Sequence, residues 1–241
     1  MRKTVLFCLL LLTGMAAVYA DTLPVTTHVY VIDGELAYVG ALDMKANQRL
    51  FKLYGSLKEK PRVLSIRSVG GSVLTGISLG SWVRANNLDV KVLEYCLSSC
   101  ANYVFPAGGR KIVSNFALIG YHGGANSLYL RVSEASKKLL AEQSRSKEFR
   151  KMADSMLKDV RNQAQQELAF LKTLGVEADL VSRGQADRHQ GLFKEYPEMT
   201  GWTYSLADFD HMGVHRIDVI NPPWLPILQL GKAKFLVLPL Q

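Results

Sequence analysis

Residues 62–120 switch repeatedly between two apolar periods, and that switching leaves few folds open. Arg62 to Arg67 reads as a strand ending at Ser68-Val69-Gly70-Gly71. Val73, Gly76, Ile77, Gly80 and Val83 then recur at helical spacing, with small residues that allow close packing on a sheet. Val90 to Tyr95 is the next strand. Ser98 to Phe105 reads as a short buried helix stopped near Pro106 and Gly108-Gly109, and Lys111 to Val113 and Ala117 to Gly120 as short extended pieces. Upstream, Val29 to Ile32 and Leu36 to Val39 flank Asp33-Gly34, a hairpin signal. Ala46, Leu50, Leu53, Tyr54 and Leu57 mark a helix after it. Strands alternating with helices predict an α/β layered domain with parallel pairing.

The chain is long enough for such a domain. Its 241 residues are 48% hydrophobic and 21% charged, which excludes a disordered tail, a collagen-like fibre and a disulfide-dense mini-scaffold. A chain of this size buries about 70% of its unfolded surface, so no metal or disulfide staple is needed to fold it, and no cofactor is expected. Residues 1–20 are set apart. Arg2 and Lys3 precede a short apolar run, Val5 to Leu12, and Val18-Tyr19-Ala20 supplies small residues for cleavage. This is the pattern of a secretory signal peptide; the run is shorter than the ~20 residues of a spanning helix, though an uncleaved anchor is the other reading. The expectation is an exported protein, periplasmic or secreted, with residues 21–241 as a single domain. Its two remaining cysteines, Cys96 and Cys100, then meet an oxidising compartment, and a spacing of four permits a disulfide if one helical turn separates them.

Lys and Arg outnumber Asp and Glu 29 to 21. The basic residues are dispersed, and where they are densest, Lys137 to Arg161, acids interleave. That is a solvated helix face, so no nucleic-acid partner is expected. Residues 133–174 form a long helical region, with a break or exposed turn expected in its polar stretch, Ala141 to Glu148. Beyond it, Phe149, Met152, Ala153, Met156, Val160, Ala164, Leu168 and Leu171 keep a three-or-four spacing. The apolar tail from Pro222 to Leu240 reads as an edge strand or an oligomer contact. His211 and His215, near Asp208, have ligand-like spacing, but an isolated His pair is weak evidence and no metal site is assigned.

Taken singly, the polar residues have ordinary readings. Ser98 or Ser99 before an apolar run is a helix N-cap, Gly70-Gly71 is a tight turn, and His122 is a hydrogen-bonded loop residue. Together they read differently. Two glycines let backbone N–H groups approach a ligand. A serine at a helix mouth lies where developing negative charge is favoured. A neighbouring imidazole can take the proton that makes serine nucleophilic.

Three ordered pieces carry a family resemblance: Ile66-Arg67-Ser68-Val69-Gly70-Gly71-Ser72-Val73 with Gly76; Cys96-Leu97-Ser98-Ser99-Cys100-Ala101 with Ala107-Gly108 and Arg110; and Leu118-Ile119-Gly120-Tyr121-His122. Over roughly residues 29–220 the chain resembles the proteolytic subunit of the Clp proteases, in the ClpP/crotonase superfamily, and most closely its exported ClpP-like members. The resemblance implies a layered βαβ-repeat core with a protruding handle helix, here 133–174, through which copies associate as a homo-oligomer. It implies a serine peptidase with Ser99 as nucleophile, His122 as general base, and the N–H groups of Gly70 and Cys100 as the oxyanion hole.

The chain departs from that pattern in three places. Val69 replaces a proline. The position of the family's aspartate falls at Gly201, so the third triad member is unassigned; Glu198, Asp208, Asp210, Thr200 or a backbone carbonyl are the alternatives. Cys96 and Cys100 bracket the serine. ATP is not available outside the cytoplasm, and no phosphate-cradling loop is present in the chain, so no ATPase partner is expected and substrates are short peptides or unfolded protein. Two other readings remain: a catalytically inactive ClpP-like module that binds peptides or proteins, and a Ser–Lys dyad using Lys111.

Overall fold

The computed structural model describes residues 26–141 and 147–239; the expected signal segment, 1–20, lies outside them. Strand β1 (His28–Ile32) turns back at Asp33 and Gly34, both at positive φ, into β2 (Glu35–Val39). That is the conformation a two-residue hairpin turn demands and an Asp-Gly pair supplies. Helix α1 (Met44–Ser56) follows, its N-cap Asp43 accepting a hydrogen bond from Ala46 N. Then come β3 (Val63–Arg67), α2 (Val73–Ala85), β4 (Asp89–Val92), β5 (Tyr95–Leu97), a π-helical turn (Cys100–Val104), β6 (Lys111–Ser114) and β7 (Leu118–Gly120). Helices α3 (Ala125–Ala141) and α4 (Lys147–Leu174) lead to α5 (Gln190–Glu195), β8 (Met199–Thr203), α6 (Leu206–His211), β9 (Ile217–Ile220), β10 (Gln229–Leu230) and β11 (Ala233–Val237).

The protein is mixed α/β. Its main sheet has the order β1-β2-β3-β4-β6-β9, antiparallel at the β1–β2 hairpin and parallel elsewhere. Leu36, Tyr38, Leu64, Ile66, Val90 and Val92 of its inner strands are buried, whereas β1 is largely exposed. This is the placement expected of strands covered by helices and of an edge strand respectively.

The strand expected over 90–95 is two strands. The chain breaks at Leu93-Glu94, and β5 leaves the main sheet to pair in parallel with β7. Residue Ser68, just beyond β3, bridges Cys96 of β5, so β5 carries on from the carboxyl end of β3. β8, β11 and β10 form a third sheet, joined to the second through a Tyr121–Trp202 bridge. The apolar tail thus supplies β10 and β11, and Phe235 and Leu238 are buried in the body of the protein.

Two packing features position the site. The glycines of α2 face the π-helical turn, not the sheet alone. A Cβ on Gly76 would stand 2.5 Å from the Tyr103 ring, and one on Gly80 2.3 Å from the Tyr103 carbonyl. Leu79 and Val83, on the same face, are fully buried, each contributing about 2 kcal/mol. Second, the long helical region starts earlier than residue 133 and is a hairpin of α3 and α4. Arg161 of α4 donates to Tyr129 Oη of α3, and Ala125 N, at the start of α3, donates to Glu167 of α4. Among the described residues no helix is long and apolar enough to cross a membrane.

Candidate active site

Ser98 stands between β5 and the π-helical turn with φ +55°. A left-handed serine is strained, and such strain persists only where surrounding bonds over-determine it. Here Ser98 N donates to Gly120 O on β7, and Asn102 N returns to Ser98 O. The abrupt strand-to-helix reversal projects a half-buried hydroxyl from the apex, the local geometry of a nucleophile elbow.

His122 follows β7, and its Nε2 lies 2.7 Å from Ser98 Oγ. The expected partner, Ser99, is not the one the ring meets. Ser99 is 4% exposed, and its hydroxyl donates to Gly71 O at 2.9 Å. One residue along a helical turn rotates a side chain by about 100°, so of two adjacent serines only one can face β7. The other points into the double-glycine bend.

Gly70 is needed for that bend. Its φ is +91°, and a Cβ there would lie 2.6 Å from Leu97 O and 2.8 Å from both Ser98 Cβ and Ser99 N. Its own N–H, expected to serve an oxyanion, instead donates to Ser68 Oγ at 3.1 Å. The resemblance gives the other oxyanion N–H to Cys100, next after Ser99; with Ser98 at the apex the corresponding residue is Ser99, whose N–H borders the space that Gly70 leaves without a Cβ. Cys96 and Cys100 are joined in a disulfide with Cα atoms 5.3 Å apart, tying β5 to the π-helical turn across Ser98.

His122 is held mainly through its backbone. Gln185 Nε2 donates to His122 O at 2.9 Å, and Asn102 Nδ2 to Gly123 O at 3.0 Å. Glu167, fully buried on α4, accepts from Ala125 N and Asn126 N, which open α3 three and four residues past the histidine, and from the Tyr103 hydroxyl. The carboxylate satisfies N–H groups at a helix start that would otherwise be orphaned. Burial pushes the His122 imidazole below its ordinary value; a hydrogen bond to its own backbone opposes this, and the Arg131 charge adds to the lowering.

No carboxylate orients the ring among the described residues. A Cβ on Gly201 would stand 2.3 Å from Tyr121 O, because β8 is hydrogen-bonded to Tyr121 in both directions. No aspartate fits there. Asp208 accepts from the Ser205 hydroxyl that caps α6, Asp210 pairs with His215, Thr200 donates to Lys234 O, and Glu198 is exposed. Lys111, the other base considered, lies at the start of β6 and lines a cavity with residues of the 84–89, 106–109 and 213–216 segments, not with Ser98. His215 lies past the end of α6, so it does not share a helical face with His211.

Sequence reasoning did not single out Glu167, Gln185 or Asn102. Glu167 had a signal: a charged residue within the apolar stripe of Ala164, Leu168 and Leu171. Gln185 had none. No protein-family model matches the chain, and no curated protein matches it.

Proposed function

We propose that the protein is an exported, ATP-independent serine hydrolase, a peptidase of the ClpP/crotonase type, in which Ser98 is the nucleophile and His122 the general base. The 2.7 Å approach of His122 Nε2 to Ser98 Oγ carries this reading, since a base must reach the proton it removes. The lowered imidazole pKa supports it, because the ring is then neutral and able to accept that proton at neutral pH.

In this reading Ser98 Oγ attacks the substrate carbonyl as its proton passes to His122 Nε2. The oxyanion forms beside the Ser99 N–H at the mouth of the π-helical turn. His122 gives the proton to the departing amine, leaving an acyl-Ser98 that water hydrolyses with the same ring as base. Among the described residues no acid orients the ring. In a triad, removing the acid's charge lowers kcat by ~10⁴, so a dyad of this kind is slow. Short or unfolded peptides are the substrate class, and self-association through the α3–α4 hairpin belongs to the same proposal.

The closed position at Gly201 favours a second reading, a binding module that has kept the cleft and lost turnover. A fluorophosphonate probe separates the two. The hydrolase reading expects covalent labelling of oxidised wild-type protein and none of Ser98→Ala or His122→Ala. Absence of labelling in folded wild type rejects it and leaves the binding module.

A further inference from the structure

A polar cavity of about 430 Å³ opens where β4, β6 and β9 begin. Ser98 lies beyond the carboxyl ends of the strands, so this cavity is at the other end of the molecule and independent of the hydrolase reading. Lys111, 6% exposed, lines it. Among the described residues its ammonium makes no hydrogen bond and no ion pair. Its stem is buried, while the ammonium is not among the polar atoms shut off from solvent and opens into the cavity.

The charged groups around Lys111 do not compensate it. Arg216, the residue just before β9, presses it electrostatically in the same direction as burial, and the two together with the opposing Asp89 leave its pKa at about 8. Asp89 is already engaged: its carboxylate accepts from Arg110 N at 2.8 Å, Arg110 Nε at 3.0 Å and Arg110 Nη2 at 2.9 Å. His215, also on the wall, pairs with Asp210. Arg84, from the last turn of α2, and Arg216 line the exposed rim, and among the described residues neither guanidinium has an acidic partner. Asn87, another lining residue, ends α2 in the left-handed conformation usual for Asn after a helix C-cap.

We propose that this cavity is a binding site for a phosphate-class oxyanion, seated on Lys111 and clasped by Arg216 and Arg84. Two guanidinium forks and an ammonium on the wall of one concavity suit a tetrahedral dianion's acceptors. The anion adds counter-charge to that of Asp89, whose carboxylate Arg110 already engages.

Inorganic phosphate titrated into the full-length protein at constant ionic strength, followed by calorimetry, tests this. Saturable binding is expected, weakened about tenfold or more in Lys111→Met and in Arg216→Asn, as loss of one charge-assisted contact implies. Arg216→Asn keeps a residue tolerant of the positive φ at that position and so guards against a folding defect in the lysine variant. Phosphate should also raise the unfolding temperature of wild type more than that of either variant. Methyl phosphate distinguishes the source: equal binding assigns the site to a phosphomonoester group, binding of inorganic phosphate alone to the free ion. No saturable binding by wild type overturns the proposal, as does an affinity unchanged in both variants, or an equal response to chloride.

Discussion

The buried carboxylate of Glu167 accepts a hydrogen bond from the hydroxyl of Tyr103, a residue of the turn that follows Ser98. The same carboxylate holds the first N–H groups after the His122 loop. One side chain on the long hairpin therefore ties both halves of the Ser98–His122 pair. Glu167→Ala leaves two backbone donors and a phenol without a partner. We expect a loss of about 2–4 kcal/mol in denaturant unfolding, and slower probe labelling under conditions where the variant remains folded. Glu167→Gln, which keeps an acceptor, should recover part of both. If Glu167→Ala unfolds and labels like wild type, the tie has no role.

Ser98 and Ser99 are adjacent and should behave oppositely. Ser99→Ala removes a buried hydrogen bond to Gly71 O and should cost about 1 kcal/mol of stability while covalent labelling persists. The intact-mass adduct of the Ser99→Ala protein checks this. Loss of labelling there with retention in Ser98→Ala would return the nucleophile to Ser99.

The lowered imidazole of His122 sets a pH dependence. Labelling should rise with pH as the ring deprotonates, with a midpoint below the ordinary imidazole value of about 6.5. For stability, the unfolded chain binds the proton before the folded protein does. The contribution is thus present above the unfolded pKa and is lost as pH falls through the folded one. His122→Phe should abolish labelling and flatten the stability profile in that window, measured by chemical unfolding across pH.

Gly201→Asp restores the residue type expected of a triad at this position, yet it should not restore a triad. The first carbon of the side chain meets Tyr121 O, so the substitution should destabilise by about 2 kcal/mol or more, as overpacking against backbone does. No gain in labelling rate is expected. Thermal unfolding and labelling of the variant decide it.

Reducing the Cys96–Cys100 disulfide frees β5 from the π-helical turn on either side of Ser98. Closure of so small a loop stabilises by about 2 kcal/mol in the chain-entropy account. Cys96→Ala/Cys100→Ala should lose about that much and label more slowly at Ser98. Unchanged stability and labelling would show that the bridge holds nothing at the site.

Much of the architecture was legible along the chain because it depends on near neighbours. Asp33-Gly34 specifies its turn wherever it occurs, and the period switches over 62–120 mark strands and helices by which faces must be covered. The cysteine spacing allowed a bridge on local geometry alone. Less legible were features created by distant contacts. The break at Leu93-Glu94 moves β5 to β7, and the glycines of α2 serve Tyr103, which no local pattern announces.

Periodicity and turn chemistry act over a few residues, and they suffice for the α/β class, the hairpin, the bracketing cysteines and the serines at a strand-to-helix junction. Which serine meets His122, the crowding against a side chain at 201, and the reach of Glu167 from another helix follow from packing alone. Rotation and crowding are the cause. Adjacent side chains on a tight turn point in different directions, and which direction counts depends on strands brought alongside from elsewhere in the chain.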